Sequence, residues 1–158
     1  MAGRTRLLLG GAVAAFLIGA LLVCVAAITV LREGGGGGSN FVAGYREVAR
    51  EVSFQVYQPG YLPPDSGEPL HRVPAARAGI QEAVARYPGG LILEQSNEQS
   101  VIGQDTTPAT VQGAEEAYFA DFAQRTLVLR KGGTWITLAG ASDSELIRVA
   151  GSLQLVQS

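Results

Sequence analysis

Residues 125–153 have the sequence RTLVLRKGGTWITLAGASDSELIRVAGSL, and this stretch decides the fold. It begins with two short runs, Thr126–Arg130 and Thr134–Ala139, that are rich in aliphatic and β-branched residues. Lys131-Gly132-Gly133 stands between them. Two glycines in that place are typical of a tight β-hairpin, because the turn needs residues that tolerate positive φ. The stretch therefore predicts two antiparallel strands.

A helix is predicted directly after this hairpin. Ser142 and Glu145 have the spacing of a capping box, in which the serine oxygen accepts from an early helix amide and the glutamate reaches back. The apolar residues that follow recur at helical spacing: Leu146, Ile147, Val149, Ala150 and Leu153. Such a stripe has to be buried against the sheet. This predicts an α+β domain with a mainly antiparallel sheet and helices packed on it.

Similar patterns predict elements upstream. A first helix begins near residue 40, with Ser39 or Asn40 as its N-cap. An alternating strand, Val52–Tyr57, follows it and is ended by Pro59, and Ala117–Phe119 and Val111 are predicted as further short strands. The apolar stripe of the first helix comprises Phe41, Tyr45, Val48 and Val52.

Residues 75–87 fit either a helix or a strand. Ala83, Val84 and Tyr87 lie at helical spacing, whereas Ala83, Ala85 and Tyr87 would share one face of a strand. The turn sequence Pro88-Gly89-Gly90 comes next, and an apolar run follows it. This arrangement is typical of a hairpin and favours a strand near residue 87, although the choice stays open.

An uncharged run of 25 residues, Leu7–Leu31, contains 21 apolar side chains. As a helix it would be about 37 Å long, enough to cross a hydrocarbon core of about 30 Å. We therefore expect a short cytoplasmic tail at residues 1–6, a transmembrane helix at 7–31, a Gly-rich linker at 32–40 and an extracytoplasmic α+β domain at 41–158. Basic residues in the tail favour a cytoplasmic N-terminus and a single span in the cell membrane.

Two other interpretations of the apolar run remain open. A cleaved signal peptide could end near Val25-Ala26-Ala27, although its apolar core would exceed the usual length of about 7–15 residues. A lipoprotein signal would use Cys24, but no small residue stands directly before it. All three interpretations place residues 34–158 outside the cytoplasm.

Composition excludes several classes of function. With 12 basic and 14 acidic residues the chain lacks the charge excess of a nucleic-acid binder. One histidine and one cysteine are too few for most metal sites, disulfide scaffolds or histidine-based triads. We expect no catalytic residues, no cofactor and no metal, and therefore no enzyme. His71 is expected in an exposed Pro-rich loop, and Glu115, Glu116 and Asp121 on a solvated surface.

Aromatic residues are the best candidates for binding. Tyr118 and Trp135 lie near the last strands with Phe119 and Phe122, where they would either join the core or line a groove between sheet and helix. Such a groove would take a lipid tail or a peptide. Tyr61 and Leu62 lie in a loop between prolines, where apolar residues either pack locally or mark a contact. The candidate ligand or partner contacts are therefore Tyr61, Leu62, Tyr118 and Trp135.

Residues 52–64, VSFQVYQPGYLPP, resemble the hallmark motif of a bacterial extracytoplasmic family known as domain of unknown function 4367. That motif is a short strand followed by Pro-x-Tyr-Leu-Pro. The hairpin near Leu91–Ser96, the segment Val111-Gln112-Gly113 before Tyr118, and residues 126–153 are similar to its later features. The resemblance covers about residues 41–155. It departs from the family at Leu129, where many members have a tryptophan.

The resemblance implies a curved sheet with a helical lid, distantly similar to lipoprotein-carrier folds, often behind one membrane helix. It carries over no catalytic residues. We therefore expect a non-catalytic binding or sensing module whose partner is a membrane protein or a lipid. The alternative is a lipid or lipoprotein carrier-like accessory protein at the membrane surface.

Overall fold

The computed structural model describes residues 39–99, 105–121 and 123–157. The predicted tail, the predicted membrane helix with Cys24, most of the linker, and Phe122 lie outside these described residues. Within the described ranges, no helix is long and apolar enough to cross a membrane.

The described residues form ten strands and two helices in an α+β arrangement. Eight strands make one antiparallel sheet in the order β1-β3-β4-β5-β9-β8-β7-β6, and β2 pairs with β10 in a separate two-stranded ribbon. The elements are β1 (Ser39–Val42), α1 (Tyr45–Glu51), β2 (Tyr57–Pro59), β3 (Leu70–Pro74), β4 (Glu82–Arg86), β5 (Ile92–Ser96), β6 (Thr106–Pro108), β7 (Glu116–Asp121), β8 (Arg125–Lys131), β9 (Thr134–Ala139), α2 (Asp143–Gly151) and β10 (Leu153–Leu155).

The hairpin predicted around Gly132-Gly133 is confirmed as β8 and β9. Lys131 pairs with Thr134 across the turn, and the two glycines have φ of 53° and 78°. Positive φ at both central positions matches the twist of a two-residue hairpin. A Cβ on Gly132 would also collide with the side chains of Gln55 and Tyr57. The absence of a side chain at Gly132 therefore leaves room beside the turn for the ends of these two side chains.

The predicted C-terminal helix is confirmed as α2, which begins after Ser142. The Ser142 Oγ accepts a hydrogen bond from the Glu145 amide at 3.4 Å, whereas the Glu145 carboxylate accepts from Tyr61. Leu146, Val149 and Ala150 are fully buried. They share one core with sheet residues on what we call the inner face of the sheet. The fully buried members on β8 and β9 are Leu127, Leu129, Ile136 and Leu138.

The first helix starts later than predicted. α1 begins at Tyr45 after Gly44, and not at Ser39 or Asn40, because residues 39–42 pair with β3 as an edge strand. Phe41 therefore leaves the predicted stripe and lies on the opposite side of the sheet, the outer face, with 70% of its surface exposed. Val48 is buried as predicted.

The predicted strand Val52–Tyr57 is wrong in its position, because it overlaps β2 at Tyr57 alone. The ladder between β2 and β10 begins at that residue, and the buried Val56 before it accepts one hydrogen bond from the Val156 amide at 2.9 Å. β2 crosses the inner face, so its backbone polar groups need partners within the core. The buried Gln95 side chain supplies them. Its Oε1 accepts from the Tyr57 amide at 2.7 Å, and its Nε2 donates to the Tyr57 carbonyl at 2.8 Å.

The structure resolves the choice within residues 75–87 in favour of a strand, which spans Glu82–Arg86. β4 pairs with β5, and Ala83, Ala85 and Tyr87 are all buried. The favoured hairpin is therefore confirmed. Val111, predicted as a short strand, lies outside the ladders but is buried in the connection before β7. An apolar residue is therefore present at position 111 because the position is buried, and not because it belongs to a strand.

Alanine at Gly132 is expected to destabilise the domain more than alanine at Gly133. Positive φ costs an L-residue about 1–2 kcal/mol at either position. Only Gly132 has neighbours that its new Cβ would strike, whereas nothing lies within 4 Å of a Cβ at Gly133. Urea unfolding followed by the fluorescence of Trp135 measures both variants. Equal losses would show that the Gln55 and Tyr57 side chains move away from the new Cβ without cost, and would contradict the expectation.

Leu146→Ala is expected to lower the free energy of unfolding by about 2–5 kcal/mol, because it leaves a cavity in a fully buried site. Leu155→Ala is the matched control, since that leucine is 51% exposed on β10. Its cost should stay near about 0.5 kcal/mol. The same urea titration measures the two variants. Similar losses would show that α2 does not contribute the core contacts described above.

Candidate functional site

Two of the four predicted contact residues lie on the outer face of the sheet. Trp135 pairs with Arg130, and Tyr118 pairs with Val128. Arg130 and Val128 are two residues apart on β8, so the four side chains point to the same face. Trp135 and Tyr118 are each partly exposed. β7, β8 and β9 therefore display both aromatic residues on one rigid surface.

Trp135 belongs to a cluster with Arg130 and Glu115, which we call the Trp135 cluster. The Arg130 guanidinium carbon lies 5.8 Å from the centre of the indole ring, within reach of a cation–π interaction. The Arg130 Nε lies 3.4 Å from the Glu115 Oε2, and the two side chains are 45% and 50% exposed. The Gly133 amide donates to the other carboxylate oxygen at 3.3 Å. The cluster thus presents an aromatic ring, a cation and an anion to solvent.

Tyr118 is already engaged by the connection between β5 and β6. Gln99 in that connection donates a hydrogen bond to the Tyr118 hydroxyl. Ala120 and Val128, on the outer face beside Tyr118, are almost completely buried. Solvent therefore reaches little of the surface at Ala120 and Val128, whereas the arginine and glutamate of the Trp135 cluster are exposed.

Tyr61 and Leu62 lie in the other layer of the domain, against α2 and the inner core. The Tyr61 hydroxyl donates to Glu145 Oε2 at 2.8 Å, and the Arg148 guanidinium carbon lies 3.8 Å from the ring centre. The hydrogen bond to Glu145 raises the pKa of Tyr61. Leu62 is partly buried and packs against the core. Tyr61 therefore holds the Pro-rich loop against α2, and Leu62 holds it against the core.

The four predicted contacts therefore form two separate pairs on opposite sides of the sheet. Phe119, which the sequence grouped with them, is buried on the inner face. A groove between sheet and helix lined by Trp135 and Tyr118 is not formed, because α2 covers the inner face and both aromatics lie on the outer one. Which face a strand residue occupies follows from pairing rather than from its position near other aromatics.

His71 is buried, and the expectation of an exposed loop histidine is wrong. The residue lies on β3, where it pairs with the small Ala85 and is 5% exposed. Its ring stands edge-on to Tyr45 at 4.4 Å, and the hydroxyls of Tyr45 and Tyr87 are hydrogen-bonded at 2.6 Å. Burial lowers the pKa of His71 and raises the pKa of both tyrosines. Neutral rings therefore fill this part of the core.

Asp121 and Glu115, two of the three acidic residues predicted on the surface near β7, take part in ion pairs. Asp121 binds Arg125 at 2.9 Å, and Arg125 also binds Asp143 at 3.1 Å. Glu115 belongs to the Trp135 cluster, and Glu116 begins β7 on the exposed surface. Across residues 39–99, 105–121 and 123–157, no three histidine, cysteine or acidic side chains form a group that could hold a metal ion.

Sequence reasoning did not select Arg130 and Glu115. The signal for Arg130 was present, because Arg130 and Trp135 flank the predicted turn symmetrically. A two-residue hairpin centred on Gly132-Gly133 places those two residues opposite each other. Glu115 carried no such signal, since its position depends on the pairing of β7 with β8.

The chain matches no protein-family model, no curated protein and no solved structure.

The domain is expected to lose stability in mildly acidic solution through His71. Its folded pKa is lowered by burial from the ordinary 6.5, so its contribution is complete above about pH 6.5 and is lost as pH falls through the folded value. His71→Leu removes this titration. Urea unfolding from pH 7.5 to 5 should show a steeper decline for the natural chain than for the variant. Parallel pH profiles would contradict a buried neutral histidine.

Proposed function

We propose that this chain is a single-pass, membrane-anchored extracytoplasmic protein whose domain binds or senses a membrane-protein partner and catalyses no reaction. The 25-residue apolar run supports the anchor, and Arg4 and Arg6 support a cytoplasmic N-terminus. The Gly-rich segment after the run would act as a flexible tether. The resemblance to the extracytoplasmic family named above is consistent with this organisation.

The Trp135 cluster carries the proposal of partner binding. Tryptophan and arginine are enriched among the residues that dominate protein–protein binding energy. Here the indole and the guanidinium lie side by side on a rigid sheet, and the exposed Glu115 holds the guanidinium in place. A partner that covers this cluster would bury a large aromatic surface and complete an ion-pair network. We therefore assign the partner-binding surface to Trp135, Arg130 and Glu115.

The alternative, a carrier of lipid or lipoprotein, needs an apolar cavity between the helices and the sheet. The described residues there fill the space instead. Leu146 and Val149 from α2 and Leu138 and Ile136 from β9 are all fully buried in one core. This packing favours binding at the surface over carriage of an acyl chain in the interior.

Photocrosslinking in native membranes tests the partner proposal. A crosslinking amino acid at Glu116, which pairs with Arg130, should capture one discrete membrane protein. The yield should fall strongly with Trp135→Ala or Arg130→Ala, because both remove the central contact. Tyr61→Phe should leave the yield unchanged, since Tyr61 lies in the other layer. The same crosslinker at the exposed Leu155 is the positional control, and equal capture there would refute the assigned surface.

Alkaline extraction of membranes tests the anchor. The full-length chain should stay in the pellet at pH 11, because a membrane-spanning helix is not released by loss of surface charge interactions. Added protease should digest the domain only from the extracytoplasmic side. A soluble product whose N-terminus follows Ala27 would instead establish a cleaved signal peptide.

A further inference from the structure

Two of the three strongly exposed large apolar residues among the described residues lie together beside the β1 edge. Phe41 is 70% exposed and Leu70 is 61% exposed, and the third, Leu155, lies on the ribbon. Phe41 pairs with Arg72, and Leu70 lies two residues before Arg72 on β3. The two apolar side chains therefore share the outer face on neighbouring strands.

Each of these apolar residues stands opposite an arginine. Phe41 pairs with Arg72, and Leu70 pairs with Arg86. We call these four residues the β1 patch. Two carboxylates share this face further from the edge. Glu94 lies on β5, the fourth strand counted from β1, and Glu82 lies on β4, two residues before the Val84 that pairs with Arg72. The Nε of Arg72 is buried and has no hydrogen-bond partner, although the rest of its side chain is partly exposed.

Few residues separate the β1 patch from the proposed anchor, on which this inference rests. The apolar run ends at Leu31, and only residues 32–38 separate it from β1. Seven residues can reach at most about 25 Å even when fully extended. Such a short tether creates an effective local concentration in the millimolar range, so a weak surface affinity suffices.

We propose that the β1 patch docks on the anionic headgroup region of the bilayer that holds the anchor. Aromatic side chains favour the interface between headgroups and acyl chains, and Phe41 would enter it. Arg72 and Arg86 would bind lipid phosphates, while the stems of their side chains cover apolar surface. Residues 40–158 carry 9 basic and 13 acidic side chains, so an anionic membrane would repel the domain as a whole. The β1 patch differs because it contains two arginines and no acidic residue.

The β1 patch and the Trp135 cluster lie on the same outer face but are separate. β1 and β9 are four strand spacings apart, or about 19 Å at the usual distance between strands. Substitutions can therefore change either surface without changing the other.

Fluorescence of the full-length chain in lipid vesicles tests the proposal. Phe41→Trp in a Trp135→Phe background places the one tryptophan in the patch, and Leu155→Trp in the same background is the control. In vesicles of phosphatidylglycerol and phosphatidylcholine, emission from position 41 should shift to the blue and be quenched by lipids brominated near the headgroup. Emission from position 155 should show neither effect. Equal spectra at the two positions would overturn the proposal.

Charge dependence separates docking on lipid from other contacts. Quenching at position 41 should weaken in pure phosphatidylcholine, at 1 M salt, where the Debye length falls to about 3 Å, and with Arg86→Gln. Arg148→Gln, a change of the same charge on the other layer, should leave it unchanged. Position 41 could instead stay buried in pure phosphatidylcholine, to an extent that depends on the protein-to-lipid ratio. That result would indicate a second copy at the β1 edge and would overturn docking on lipid.

Flotation of the same vesicles at pH 11 distinguishes the two proposals. A chain that floats with the vesicles but shows no quenching at position 41 retains its anchor and refutes the docking. A chain that fails to float refutes the anchor, and the docking that rests on the anchor is refuted with it.

Discussion

An eight-stranded sheet at about 4.8 Å per strand is roughly 34 Å wide, whereas each helix covers about 10 Å of it. α1 and α2 have only seven and nine residues, so they cannot bury the whole inner face. The β2–β10 ribbon fills the gap, which brings backbone amides into the core. The Gln95 side chain satisfies both polar groups of Tyr57 there. The Thr134 hydroxyl likewise donates to the Gln55 carbonyl at 2.8 Å.

Local signals predicted the C-terminal half of the domain well. The glycine pair of the turn and the serine cap of α2 act within a few residues, so the β8–β9 hairpin and the helix could be predicted without knowing the rest. Signals that depend on distant partners failed. Ser39 and Asn40 resemble helix caps, but their pairing with β3 outweighs that preference. Glu145 had the spacing to complete the cap, and a loop tyrosine 84 residues away uses its carboxylate instead.

The candidate site was predictable only in part. The sequence selected Trp135 and Tyr118 as aromatics but not Arg130, although the symmetry of the hairpin contains the information that Arg130 lies opposite Trp135. It could not separate them from Tyr61 and Leu62, because the layer of each residue depends on which strands and loops meet across the core. The burial of His71 was missed for the same reason. Flanking prolines suggested a loop, whereas space above Ala85 admits the imidazole ring.

The ribbon joins residues that are nearly a hundred positions apart, since Tyr57 pairs with Leu155. Pairing over such a separation requires closure of a large loop, which is slow compared with the formation of a hairpin. β10 is thus needed to cover the core, although the sheet strands and α2 that form the rest of the core all come earlier in the chain. Synthesis proceeds from the N-terminus, so the apolar face of the central strands would stay uncovered until residue 155 has been made. Chaperones that bind extended apolar segments would have their longest opportunity during that interval.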